Sequence, residues 1–489
     1  MRNTYARTAV AALMGGVLLA AGGLAAPAAH AAPAPAPAAS AAPSPAAATA
    51  SAAAISDIPR LTDERGRVLT LRGWNVEDKT HRGEDALSLI TEKHFRDMSR
   101  QGFNFARLLV FWDDLEARRG VYSKPYLRRI ERILDWAHTY GVRVLIDGHQ
   151  DVFGPAFGHR GIPEWATRTD GLPFERNPDD WFSEYFQPAV QRAFTHLYED
   201  ADLQRAQAAV WKLLADRFGD HPAVIGYDFL NEPMGELKEG EDLPTAARRI
   251  ERDQVTPMYN RLAAAVRSQD RRKWLFVEPT PIVGEGVPTG LGRIKDPKVV
   301  YAPHFYNTAM EAGADYDPKA GWIEAYEAAV TAYPKQHKLP VVVGEWGPLN
   351  NDGPNMGRFY DDALASFARY SSGYAGYVWC YGGGYCAVDR AGKLRGHKAK
   401  TVEPYAAAVA GEVSTSAYDP AKGVYSLAYR AGWSSGTSEI SLPASEKGWR
   451  VSVHGRAWSG TSQVGPDRAE KMRVYAVPGA RVTVTVRRR

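Results

Sequence analysis

The stretch AVIGYDFLNEP, residues 223–233, runs apolar through Phe229 and Leu230 and then stops on Asn231, Glu232 and Pro233. A short apolar run closed by proline reads as a strand buried on both faces, the kind found in parallel sheets. Such a strand has no architectural need for an amide and a carboxylate at its exit. Taken alone, Glu232 reads equally as a loop cap or as the partner of a nearby arginine, so the rest of the chain must decide.

The pattern recurs on both sides of this stretch. VLTLRGWNV (68–76), NFARLLVFW (104–112) and VRVLIDGHQD (142–151) precede it; KWLFVEP (273–279), KVVYAPHFYN (298–307), PVVVGEWG (340–347) and YAGYVWC (374–380) follow. Helical stretches alternate with these runs. In PYLRRIERILDWAHTYG, for example, Leu127, Ile130, Ile133, Leu134 and Ala137 share one face. Eight buried strands with helical crossovers predict an α/β fold, a (β/α)8 TIM barrel. A doubly wound sheet would place a phosphate-binding glycine loop after the first strand, and GWNVEDK is not one. Beyond Val409 the runs shorten and alternate, as in GVYSLAYRAG, GWRVSVHG and RVTVTVRRR, which predicts a small C-terminal antiparallel β-sandwich.

The N-terminus reads differently. Arg2 and Arg7 begin a basic start, an Ala- and Gly-rich apolar run follows, and AHA at 29–31 offers small residues for cleavage. We read residues 1–31 as an export signal, which implies a secreted protein; the run is short for a membrane anchor. Residues 32–54, almost wholly Ala, Pro, Ser and Thr, read as a disordered tether. The barrel is expected over 55–410 and the sandwich over 411–489. Formal net charge is +4 for 489 residues, with Lys and Arg scattered, so no basic stripe points to nucleic acid. The two cysteines, Cys380 and Cys386, flank YGGGY, and in an exported chain a disulfide closing that loop is expected. A structural zinc site is not expected from two cysteines without histidine neighbours.

Working residues of a (β/α)8 barrel stand at the C-terminal ends of its strands. Here those ends carry Asn75 with Lys79, Arg107, His149 with Asp151, Asn231 with Glu232, Glu278, His304 with Tyr306, Glu345, and Trp379. Buried polar groups cost free energy unless paired, so such a ring reads as a site. Glu232 and Glu345 close the fourth and seventh strands and can face each other across a bound sugar. Glycosidic cleavage needs one carboxylic acid for the leaving oxygen and a second carboxylate for the anomeric carbon. Glu278 closes a strand too and is the rival nucleophile.

FLNEP with Glu232 and VVGEWG with Glu345 resemble the acid/base and nucleophile signatures of glycoside hydrolase family 5, and the resemblance spans the barrel. It implies that Glu345 is the nucleophile, steadied by Arg107 and Tyr306, and that Glu232 is the acid/base. It assigns His149, Asn231, His304, Tyr306 and Trp379 to substrate binding, with Trp379 as the floor under the sugar. DGHQDVFG (147–154) resembles the corresponding stretch of endoglycoceramidases, which cut an intact glycan from ceramide. That resemblance places Lys79, Asp151 and Trp181 around the sugar nearest the cleavage point. It implies a glycolipid substrate and transient contact with a membrane or micelle surface. Because paired carboxylates suffice for the reaction and no metal or phosphate-loop motif is present, no metal and no organic cofactor is expected, and a monomer is expected. In NVEDKT the chain departs from the pattern, for Glu77 and Asp78 replace small polar residues. A lipid β-glucosidase or β-galactosidase, a family 5 endoglucanase or mannanase, and a catalytically silent sugar-binding barrel stay open as alternatives. The sandwich reads either as a brace for the barrel or as a lipid-contacting module, and Trp433, Trp449 and Trp458 fit a core as well as a binding face.

Overall fold

A computed structural model describes residues 57–349, 353–433 and 436–489. The expected export signal and tether, 1–31 and 32–54, lie outside the described residues. Seven parallel strands form one curled sheet: β1 (Leu71–Val76), β2 (Phe105–Val110), β3 (Arg143–Gly148), β4 (Val224–Asp228), β5 (Trp274–Val277), β6 (Val299–Tyr301) and β7 (Gly373–Gly376). Their order is β6-β5-β4-β3-β2-β1-β7. The two edges are joined by residues 341–346, which make isolated parallel bridges from Val341 to Tyr301 and from Val343 to Tyr374. The barrel is thus the expected one, with its seventh staves reduced to bridges. Helices such as Lys124–Thr139 cover the outside, and the five apolar residues on its predicted face are all buried.

The barrel interior explains the site. Side chains on a strand alternate between faces. Leu71, Phe105, Leu145, Phe276, Val300, Val342 and Ala375 pack together as an apolar plug inside the barrel. Two residues further along the same faces come Gly73, Arg107, Asp147, Glu278, Ala302, Gly344 and Tyr377. The chain therefore switches from an apolar layer to a mostly polar one within a single pleat repeat. Gly73 is required by close approach: a Cβ there would stand 1.6 Å from the Phe105 carbonyl oxygen.

The first expected strand changes partners midway. Val68–Leu69 pairs antiparallel with Tyr405–Val409, and only from Leu71 does the chain enter the barrel. Tyr405–Val409 pairs in turn with Ser438–Leu442, so the sandwich draws strands from residues before 411. Its two five-stranded sheets enclose Leu427, Ile440, Leu442, Trp449, Met472, Val474 and Val484. Trp449 is core, whereas Trp433 and Trp458 are exposed. The sandwich meets the barrel at loops that precede strands. Tyr405 and Ser441 donate to the Gly102 carbonyl at 2.9 and 2.7 Å, and Lys471 donates to the carbonyls of Tyr140 and Gly141. These contacts lie at the end opposite the polar layer, which makes the sandwich a brace at the barrel's base.

Candidate active site

Arg107 organises the site. It is fully buried, and each of its five N–H donors is used. Nε donates to Asp228 at 2.9 Å, one terminal nitrogen to Asn75 (3.0 Å) and Glu345 (2.6 Å), the other to Asn231 (3.0 Å) and Glu278 (2.7 Å). Asp147 adds a carboxylate oxygen at 2.9 Å. Burial works against the guanidinium charge, but these carboxylates outweigh it and raise the pKa well above its usual value. Asp147, Asp228 and Glu278 have the mutual spacing of metal ligands, and the cation they share is this guanidinium.

Glu345 receives Arg107 on Oε1 and the Tyr306 hydroxyl on Oε2 at 3.0 Å. Glu232 stands at the end of the AVIGYDFLNEP stretch. The β4 ladder ends at Asp228, and Glu232 has φ +42°, a left-handed backbone that a non-glycine residue adopts only where surroundings enforce it. The enforcing contacts are visible. The Glu232 N–H donates to Glu278 at 2.8 Å, and Gln150 donates to the carbonyls of Asn231 and Glu232 at 2.7 and 3.1 Å. Pro233 then turns the chain away. The Glu232 carboxyl is 2.9 Å from His304 Nδ1, and one oxygen each of Glu232 and Glu345 and a ring nitrogen of His304 lie within 4.8 Å of one another.

The electrostatics separate the carboxyls. Burial pushes Glu232 up, against the pull of His304 and with help from Glu345 and Glu278. Burial likewise raises Asp147 and Asp228. Glu278 goes the other way: His304 and Arg107 outweigh its burial and lower it to about 2. Glu278 is 1% exposed and spends its oxygens on Arg107, the Glu232 N–H and His304, so it buttresses the pair rather than facing a ligand.

A second cluster lies beside Glu345. Lys79 Nζ is 2.9 Å from Asp151, 3.9 Å from Glu77 and 5.3 Å from the centre of the Tyr377 ring. His149 bonds Asp147 at 2.7 Å and approaches Asp151 at 3.6 Å. Burial and Lys79 oppose its charge, but Asp147 and Asp151 hold it, raising the pKa to about 9. The three residues of HQD thus divide the work: His149 and Asp151 face the cluster, and Gln150 locks the backbone of the Asn231–Glu232 exit.

One expected position falls elsewhere. Trp379 is 1% exposed and packs on Trp74 and Phe103, so it is core and not a sugar floor. The β7 ladder stops at Gly376, and the side chain that faces the cluster from this exit is Tyr377. Trp181 is 44% exposed in the insertion after β3, where its ring lies near those of His159, Phe182 and Tyr185. Cys380 and Cys386 are joined, closing the loop that carries Tyr385, whose ring packs edge-on against Tyr377. Sequence reading missed Asp147, Asp228 and Tyr377. Asp147 was recoverable, since it lies two residues before His149 on the same face.

A model of the cellulase family (glycosyl hydrolase family 5) matches residues 63–383, and one of the glycoside hydrolase family 5 C-terminal domain matches residues 404–486. The endoglycoceramidase of Hydra vulgaris is 31% identical over 251 residues, 45% of this chain and 47% of its own length. Endoglycoceramidase I of Rhodococcus hoagii is 29% identical over 260 residues, 51% of this chain and 52% of its own. The matches thus span about half the length of these curated relatives. Among solved structures, endo-glycoceramidase II from Rhodococcus sp. in its ganglioside GM3 complex is similar with a TM-score of 0.77 at 28% identity, covering 88% of this chain and 100% of that one.

Proposed function

Because the chain belongs to glycoside hydrolase family 5, we propose that it is a secreted retaining β-glycosidase that cuts the glycan from the ceramide of glycosphingolipids. The observation that carries the chemistry is the Glu232–Glu345 pair, with oxygens within 4.8 Å, held by different partners. That spacing supports double displacement, for which carboxyls about 5 to 5.5 Å apart are typical. Glu345, with Arg107 and Tyr306 on its oxygens, attacks the anomeric carbon, while Glu232 gives its proton to the leaving oxygen. The ceramide departs as an alcohol and the glycan remains as an ester on Glu345. Glu232, now a carboxylate, takes a proton from water, which attacks the same carbon and frees the glycan with retained configuration. The lipid aglycone is supported by the likeness to the endoglycoceramidases. Export is supported by the N-terminal reading and by the Cys380–Cys386 disulfide.

Mass spectrometry of the products from a panel of glucose- and galactose-linked glycosphingolipids tests this reading. Intact oligosaccharide plus ceramide is expected. Release of monosaccharide alone, or cleavage of soluble β-glucan with none of glycolipid, overturns it.

The acid/base assignment predicts a leaving-group signature. Glu232→Gln should cost roughly 10²- to 10⁴-fold in kcat/KM on a glycolipid, whose alkoxide needs protonation. The loss should be much smaller on a dinitrophenyl glycoside, whose leaving group needs none. The raised Glu232 pKa also fixes a sign: activity falls at alkaline pH as its proton is lost, and this limb should vanish in the variant. Equal losses on both substrates would count against Glu232.

A further inference from the structure

Of the two acids that depart from the pattern after β1, one is architectural. Asp78 is buried and accepts from the backbone N–H groups of Thr80, His81 and Leu89 at 3.2, 3.0 and 3.0 Å, which staples the loop. Glu77 has no such employment. Among the described residues the one hydrogen-bond donor to its carboxylate is the Tyr377 hydroxyl, 3.2 Å from Oε2. Lys79 stands 3.9 Å from that same oxygen and is already paired with Asp151 at 2.9 Å. Among the described residues Oε1 has no donor, and the side chain is 19% exposed. A carboxylate partly withdrawn from water gains from a ligand donor that replaces its remaining solvent contact. Burial accordingly pushes its pKa up, against Lys79.

The location says what the donor is. Glu77, Lys79, Asp151 and Tyr377 converge from the exits of β1, β3 and β7, and the Tyr377 N–H donates at 2.9 Å to the carbonyl of Trp346, the residue after Glu345. A sugar whose anomeric carbon meets Glu345 directs its ring hydroxyls into this cluster. We infer, on the reading above, that Glu77 is a specificity residue for the glycone: Oε1 accepts a hydrogen bond from one ring hydroxyl, while Lys79 and Asp151 take its neighbours. Tyr377 positions the carboxylate by donating to the other oxygen. This assigns a recognition role to the residue at which the chain departs from the endoglycoceramidase pattern, and to a tyrosine where a tryptophan floor was expected.

The test compares wild type, Glu77→Ala and Tyr377→Phe on 4-nitrophenyl β-glucoside and its monodeoxy derivatives, each ring hydroxyl removed in turn. Calorimetric binding of the matching free sugars gives the same comparison without turnover. A site built to bond a hydroxyl discriminates strongly against the analogue lacking it. Glu77→Ala, which removes the acceptor, should lose roughly tenfold to a hundredfold on the parent sugar and nothing further on one particular deoxy sugar, which wild type already handles poorly. Tyr377→Phe should show a smaller loss with the same hydroxyl dependence. Equal losses across all sugars, or no loss, would overturn the inference by reducing Glu77 to a structural group. Cleavage of aryl glycosides but of no glycolipid would overturn the ceramide reading instead and leave the hydroxyl pattern to decide Glu77.

Discussion

Glu345→Gln should leave a folded protein whose turnover is lower by on the order of 10⁴ to 10⁶, the scale seen when a covalent nucleophile is removed. The amide keeps the shape of the carboxylate and an oxygen for Arg107, which now donates at 2.6 Å, so the fold should hold. What disappears is the charge that attacks the anomeric carbon. Glu278 cannot take over: it is buried, bonded to Arg107, the Glu232 N–H and His304, and has no free oxygen to advance. The same assignment can be read in wild type with a 2-deoxy-2-fluoro glycoside bearing a good leaving group, which forms the ester and hydrolyses it slowly. Peptide mapping should find the sugar on Glu345. A label on Glu278, or a Glu345→Gln variant with near-normal turnover, would sink the assignment.

The barrel was legible because its strands are nearly continuous apolar runs and its working residues cluster where they end. Glu232, Glu345, Arg107, His304, Tyr306, Lys79, His149, Asp151 and Asn231 do converge. The seventh strand was legible as sequence, but Val341, Val343 and Trp346 make only isolated bridges to Tyr301, Tyr374 and Phe305. Trp379 was misplaced for a related reason: counting pleats assumes a regular strand, and β7 stops at Gly376 before its pattern does. Asp147 and Asp228 were missed because the search looked only at strand exits. Their importance arises from convergence on one guanidinium, and a pattern along the chain does not record which carboxylates meet across a barrel. The partner switch at Thr70 was hidden because VLTLRGWNV reads as one run, whereas Thr70 donates its N–H to Ala407 and Leu71 donates to Ser372.

That convergence makes Arg107→Lys the harshest conservative change available. The guanidinium fork meets Asn75, Asn231, Asp147, Asp228, Glu278 and Glu345 at once, and an ammonium has three donors and no fork. Several buried oxygens would lose their partner. Breaking a buried ion pair costs about 3 to 5 kcal/mol, measurable by urea unfolding. Turnover should fall by at least about 10³, because Glu345 and Asn231 lose their common anchor together. The pH dependence carries a sign that separates lost charge compensation from lost packing. Without the guanidinium, the folded-state pKa values of Asp147 and Asp228, already raised by burial, rise further, and that of Glu278 climbs from its lowered position. Stability then falls as pH climbs from the unfolded carboxylate range, about 4, towards those raised values. The deficit relative to wild type should therefore be smaller at pH 5 than at pH 8. A deficit independent of pH would mean that Arg107 acts through shape alone, and a variant matching wild type in both stability and turnover would remove it from the centre of the site.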